Sequence, residues 1–280
     1  MKEKVINCGR VAEYELSLKE AEKSNHTIEK YLRDIRIFLG FIGDRVLTKA
    51  LAIEYKAYLG EHYAVSGANS MIAAMNSFLK FCGLEGCCVK QFRLQKKAYC
   101  SEEQELTKQE YIMLIRAAEK KKNQRLSLVI QTICSTGIRV SELPFITVEA
   151  AKKGAATVSC KGKIRTVFIV SQLRSKLLKY AKENGITTGV IFITRSGNPL
   201  NRSNIWKDMK MLCKEAGVSP KKVFPHNLRH LFARTFYQIE KDIAKLADIL
   251  GHTSIDTTRI YIVTTGEEHK RRMENMRLIT

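Results

Sequence analysis

Residues 225–261 read PHNLRHLFARTFYQIEKDIAKLADILGHTSIDTTRIY, and this stretch decides how the chain is interpreted. Its apolar spacing predicts helices over 226–239, 242–250 and 254–263, the second capped by Asp242 and closed by Gly251. His226 and Arg229 are three apart and share one helical face. His230, next to Arg229, points about 100° away around the helix. Three of the chain's six histidines fall here, His226, His230 and His252, each beside an arginine or a glycine turn. Tyr261 closes the stretch. Together these are groups that grip phosphate and move protons, with a phenol at the end.

Working outward, the part of the chain before this stretch is mainly helical with one small sheet. Thr107 and Glu110 form a capping box ahead of Tyr111, Leu114, Ile115 and Ala118. Residues 155–160 and 164–170 are rich in β-formers and flank Lys161-Gly162-Lys163, a hairpin signal. Ser171 is expected to cap a helix running to Gly185, 191–194 to form a lone strand, and Ser203 to cap a helix ending at Gly217.

The first hundred residues read as an all-helical bundle. Thr27 opens a helix along Ile28, Tyr31, Leu32, Ile35, Phe38, Leu39 and Ile42, ended by Gly43-Asp44. A second apolar stripe runs through Met71, Ile72, Met75, Phe78, Leu79 and Cys82, and 48–60 forms a further helix closed by Gly60. The periodicity breaks and turns acidic over 97–106. The expected organisation is therefore a helical domain over 1–97, a linker over 98–106 and a second domain over 107–280.

Composition sets outer bounds. A chain of 280 residues, 45% hydrophobic, is long enough for two domains with real cores. No apolar run approaches the ~20 residues of a membrane helix, and Met1-Lys2-Glu3-Lys4 does not read as a signal peptide. Net charge is +20. Residues 1–100 carry 16 basic and 11 acidic side chains, +5, and 101–280 carry 32 and 17, +15. That excess favours a polyanionic partner, although a merely soluble lysine-rich surface would share it. Eight cysteines without a C-x-x-C pair suit a reducing cytoplasm and neither a disulfide framework nor a zinc knuckle.

A phosphodiester broken without metal needs guanidiniums on its non-bridging oxygens, a nucleophile, and an acid for the leaving group. The chain supplies these types. It shows no Asp/Glu/His cluster at two-metal spacing and no glycine-rich P-loop, so neither cofactor nor metal is expected.

Four ordered motifs then carry a resemblance. Thr136-Gly137-Ile138-Arg139-Val140-Ser141-Glu142-Leu143 resembles box I of the tyrosine recombinases, the phage integrase family. His226-Asn227-Leu228-Arg229-His230 resembles that family's H-x-x-R-H box, and Leu250-Gly251-His252 with Tyr261 nine residues on resembles its final motif. Lys161-Gly162-Lys163-Ile164-Arg165 is similar to the hairpin that carries its lysine, one residue shorter than the common G-K-G-x-K-x-R turn. The helical front half resembles the core-binding domain of the Xer-type members.

The resemblance implies a fold that is mainly α with a small antiparallel sheet: a helical core-binding domain followed by a recombinase catalytic domain. It implies a site-specific recombinase acting through a 3′-phosphotyrosyl intermediate and a Holliday junction, in inversion, resolution or integration. Catalytic roles are implied for Arg139, Lys163, His226, Arg229, His252 and Tyr261. Tyr261 is the nucleophile, His226 its base, Lys163 the acid, and the two arginines with His252 hold the phosphate. Glu142 orients Arg139. Lys161 is the alternative to Lys163, although counting back from Arg165 and Val167 favours Lys163. His230 reads equally as a buried structural histidine and is not assigned a catalytic role. The implied partners are double-stranded DNA sites and three further copies of the chain, a tetramer on two duplexes, with no membrane and no small-molecule substrate. The tail after Tyr261, with Lys270-Arg271-Arg272, is either a helix docking on a neighbouring protomer or a frayed basic end. The chain starts almost at the core-binding domain, leaving no room for a separate arm-binding module. Two rivals stand beside this reading: a type IB topoisomerase, with the same chemistry but acting as a monomer, and a non-catalytic DNA-binding protein.

Overall fold

The computed structural model describes residues 8–93, 104–160, 163–261 and 266–276, and the chain divides into two compact units, Met1–Lys96 and Lys97–Thr280. Residues 98–103 of the expected linker over 98–106, and the hairpin tip at Lys161, lie outside the described residues.

The first unit is helical: α1 (Cys8–Glu20), α2 (Asn25–Ile42), α3 (Lys49–His62) and α4 (Val65–Phe81). Ser24, not Thr27, caps α2, its hydroxyl accepting from the Thr27 amide at 3.3 Å. Gly60 does not close α3, which runs on to His62, because a single glycine in a helix costs only about 1 kcal/mol. The stripe on α2 buries Ile35 and Phe38 against Ile72, Met75 and Phe78 of α4, all at or below 1% exposure. Two asparagines of α4 finish the unit. The Asn76 amide pairs both ways with the backbone of Val89, and that of Asn69 does the same with Phe92, at 2.8–3.0 Å. Each side-chain amide thus stands in for a strand partner and holds the exit segment on the bundle.

The second unit is built around α6 (Gln124–Thr136), whose Leu126, Val129, Ile130 and Ile133 are all buried. Around it pack α5 (Lys108–Lys120), which starts with the expected Thr107–Glu110 capping box, α8 (Ser171–Glu183), α9 (Arg202–Ala216) and α10 (Pro225–Glu240). A 3-10 segment, Val140–Phe145, and α7 (Val148–Lys153) lead into an antiparallel hairpin, β1 (Ala155–Cys160) paired with β2 (Lys163–Phe168) in the register Cys160 to Lys163 and Ala155 to Phe168. Its inner face buries Ala156, Val158 and Val167 in the unit's core.

Three local expectations are corrected. Ser171 is the first residue of α8, with Val170 in the capping position. Asn201, not Ser203, caps α9, its carboxamide oxygen 2.8 Å from the Asn204 amide. The span 191–194 makes only an isolated bridge, Ile193 to Pro199, rather than a strand.

The chain ends with α11 (Ile243–Leu250), α12 (Ile255–Arg259) and α13 (Gly266–Asn275). The expected helix over 254–263 stops at Arg259, so Tyr261 stands in a turn just beyond it. β-Branched Thr257, Thr258 and Ile260 disfavour a longer helix here. Among the described residues no helix is long and apolar enough to cross a membrane.

Candidate active site

Three successive carbonyls at the end of α11 organise the site. The last carbonyls of a helix have no intrahelical partner and carry its negative dipole end. Here each takes a different arginine. Arg165 Nε donates to Ile249 O at 3.2 Å, Arg229 Nη2 to Leu250 O at 2.7 Å, and Arg139 Nη2 to Gly251 O at 3.4 Å. Gly251 makes this possible. Its φ is +66°, in the left-handed region, and a Cβ there would sit 2.7 Å from Arg165 Cδ.

Glu142 draws two of these arginines together. Its carboxylate is 1% exposed and accepts from Arg139 Nη1 at 2.9 Å, and from Arg165 Nη1 and Nη2 at 3.0 and 2.9 Å. It also accepts from the Arg139 backbone amide at 2.8 Å, closing the turn after α6. Arg165 is thereby fully engaged as a brace. The Arg139 side chain remains 37% exposed, with a guanidinium edge free to meet an anion.

Arg229 comes from α10 and is 1% exposed. Besides Leu250 O it donates through Nη1 to Gly137 O, the carbonyl that follows α6, and through Nη2 to His252 Nε2 at 3.0 Å. Burial, and then the neighbouring Arg139 charge, lower its pKa to about 10, so it stays cationic at neutral pH. Gly137 has φ +65° and no room for a Cβ beside Phe232, which lets α6 end directly against α10.

Tyr261 is 6% exposed and sits inside a ring of imidazoles. Its ring centroid lies 4.3 Å from that of His230, 5.2 Å from His252 and 5.4 Å from His226, and 6.0 Å from Arg229 Cζ. Ala233, Leu246 and Leu250 pack the rest of the ring. His252 also pairs through Nδ1 with Thr258 Oγ1 at 2.8 Å. Its pKa is pushed down to about 4 by burial, then by Arg229 and Arg139. His226 opens to solvent, yet crowding by surrounding protein, followed by Arg229, Arg202 and Arg139, holds its pKa below the usual histidine value. Both are neutral at pH 7.

The structure therefore brings together Arg139, His226, Arg229, His252 and Tyr261. Lys163 begins β2, opposite Cys160, two residues before Arg165, which reaches into the cluster. Two further residues join them, His230, which the sequence leaves open between a structural and a catalytic role, and Arg165. His230 packs closer to Tyr261 than either assigned histidine does, and its Nδ1 lies 4.0 Å from Glu105 Oε1. Arg165 was read only as part of a turn motif, and nothing in its spacing marks it as the partner of Glu142. Among the described residues no group of three or more His, Cys, Asp or Glu is placed to hold a metal ion.

Residues 104–268 match the model of the phage integrase family. The tyrosine recombinase XerA of Pyrococcus furiosus is 29% identical over 291 residues, covering 100% of this chain and 98% of that protein. Among solved structures, the XerH site-specific recombinase in a post-cleavage complex with palindromic difH substrate aligns with a TM-score of 0.69 at 19% identity, over 88% of this chain and 78% of that one. A lambda integrase tetramer bound to a Holliday junction aligns with a TM-score of 0.72 at 18% identity, over 90% and 76%.

Proposed function

The chain belongs to the phage integrase family of tyrosine recombinases, and from that premise we propose how its own residues cut and rejoin DNA. Tyr261 Oη attacks a backbone phosphorus, forming a P–O bond to the phenol. The bond to the 5′-oxygen breaks, leaving a 3′-phosphotyrosyl link and a 5′-hydroxyl. The phenolic proton passes to His226, which is neutral and open to solvent. Lys163, on the hairpin beside Arg165, protonates the departing 5′-oxygen. Arg139 and Arg229 neutralise the non-bridging oxygens as charge builds on the pentavalent phosphorus, and His252 borders the same space. Attack by a 5′-hydroxyl from another strand reverses the step and joins new partners. Such fixed cations stabilise a transition state because they need not reorganise as it forms.

The observation that carries this reading is the position of Tyr261, a buried phenol flanked by three imidazoles and within 6.0 Å of an arginine carbon. Neither nucleotide nor metal enters the scheme. Residues 1–97 serve as the core-binding domain, 98–106 as the linker and 107–280 as the catalytic domain. Four copies act together, a reading supported by the tetramer on a Holliday junction described for lambda integrase, and they do so on two duplexes in the cytoplasm.

The test begins with host DNA incubated with the protein. Ends that remain bound after denaturation are sequenced to map a site, and a nicked duplex carrying that site is used to trap the intermediate. A denaturant-stable adduct at Tyr261 is expected, absent from Tyr261→Phe. Equal adduct from Tyr261→Phe overturns the assignment.

A further inference from the structure

The cleft beside Arg139 is larger than one phosphate requires. Its inner wall is Arg139, His226 and Arg229, and its opposite wall is built from α9 by Arg202 and Trp206, enclosing about 530 Å3. Nothing in the phosphoryl-transfer scheme above uses that second wall.

Its composition is specific. Trp206 is the single tryptophan of the chain and is 50% exposed, an unusual position for a residue that normally buries most of its surface. Lys210, one turn along, holds its ammonium 5.3 Å from the indole centroid and is itself tied to Pro220 O, so a fixed cation covers one side of the ring. Arg202 is the first residue of α9 and is exposed. Whereas Arg139, Arg165 and Arg229 all donate to protein carbonyls or to Glu142, the Arg202 guanidinium has no ion pair or hydrogen bond among the described residues. Its charge is nonetheless felt at His226, whose pKa it helps to lower. A guanidinium without an acceptor among the described residues, beside a half-exposed indole and in a cleft shared with Arg139 and Arg229, is suited to more of the same polyanion.

We propose that Arg202 and Trp206 form a second backbone subsite, in which Arg202 takes the phosphate next to the scissile one and the Trp206 indole packs on the deoxyribose between them. The subsite rests on the reading of the cleft as a DNA-cleaving centre, and it extends that reading along the strand. It holds the strand in register so that only one phosphate lies opposite Tyr261. Because backbone contacts carry no base information, it does so on any sequence.

That independence makes the test simple. A fluorescein-labelled 30-base-pair duplex of arbitrary sequence is titrated with the full chain at several salt concentrations, recording anisotropy and the emission of Trp206 together. Tyr261→Phe is run in parallel, so that binding is read without chemistry. Trp206 emission is expected to change with the same midpoint as the anisotropy. Arg202→Ala should weaken binding several-fold and lower the slope of log K against log salt by about 0.9, the contribution of one phosphate contact on duplex DNA. Arg202→Lys should restore the slope. Unchanged Trp206 emission at saturating anisotropy, or an unchanged slope in Arg202→Ala, overturns the subsite. Neither result bears on adduct formation at Tyr261, so failure of the subsite and failure of the recombinase chemistry are told apart.

Discussion

Arg229 Nη2 lies 3.0 Å from His252 Nε2, and only one protonation pattern allows that contact. A guanidinium has donors and no acceptor. His252 Nε2 must therefore offer its lone pair, which places the ring proton on Nδ1, donating to Thr258 Oγ1 at 2.8 Å. Protonating His252 turns this contact into a clash of two cations. The cluster is thus assembled around a neutral imidazole.

A pH dependence of stability follows. The folded pKa values of His252 and His230 are both lowered to about 4, in each case first by burial, whereas an unfolded histidine titrates near ~6.5. Between those values the unfolded chain binds more protons than the folded one, so stability falls as pH drops from about 6.5 to about 4. Urea unfolding midpoints measured across that range should decline. His230→Phe, which keeps a ring against Tyr261 but cannot take a proton, should flatten part of the decline.

How much of this could be read from residue order differs from place to place. The i, i+3 pair His226 and Arg229 was legible because helical geometry alone fixes its shared face. The Thr107–Glu110 box was legible because both halves of the capping interaction lie within four residues. Caps at Ser171 and Ser203 were misread because a nearby residue, Val170 or Asn201, occupied the position, and spacing does not rank neighbouring candidates. The partnership of Arg165 with Glu142 spans 23 residues, and that of His230 with Glu105 spans 125. Such pairs are created by packing of α10 against residues 104–106 and of the hairpin against the 3-10 segment. No local signal reports them.

For Tyr261, a split between packing and chemistry is expected. Tyr261→Phe retains the ring among Ala233, Leu246 and Leu250, so thermal unfolding should stay close to that of the parent while adduct formation disappears. Tyr261→Ala removes the ring as well and should cost roughly 3 kcal/mol or more of stability. Calorimetry alongside the trapping assay separates the two effects.

Lys163 as general acid makes a chemical prediction. Lys163→Ala should slow cleavage by about 10²–10⁴-fold, the usual worth of a positioned acid. A duplex with sulfur in place of the 5′-bridging oxygen carries a leaving group that departs without a proton, so it should restore the rate. Rescue of Lys161→Ala instead would transfer the role to Lys161.

Glu142 is predicted to be a positioning residue whose loss is felt twice. Glu142→Gln keeps the shape but leaves Arg139 and Arg165 without the carboxylate that separates their charges. Breaking a buried ion pair costs roughly 3–5 kcal/mol. Melting temperature should therefore fall, and covalent adduct formation should fall further than duplex affinity, because Arg139 loses its aim while the wider basic surface persists.

Gly251→Ala is predicted to damage activity more than stability. At φ +66° an alanine pays a backbone cost of roughly 1–2 kcal/mol. The new methyl also meets Arg165 at Cδ, 2.7 Å away. That contact is with a flexible side chain, so Arg165 can swing aside and the protein still folds. The swing removes Arg165 from both Ile249 O and Glu142, and Glu142 then holds Arg139 alone. Folding measured by circular dichroism should survive, while single-turnover cleavage of a nicked duplex drops by an order of magnitude or more. Adding Arg165→Ala to Gly251→Ala should then cause little further loss, since both changes act on one guanidinium. Fully additive losses in the double variant would show that Gly251 serves the site by some route other than Arg165.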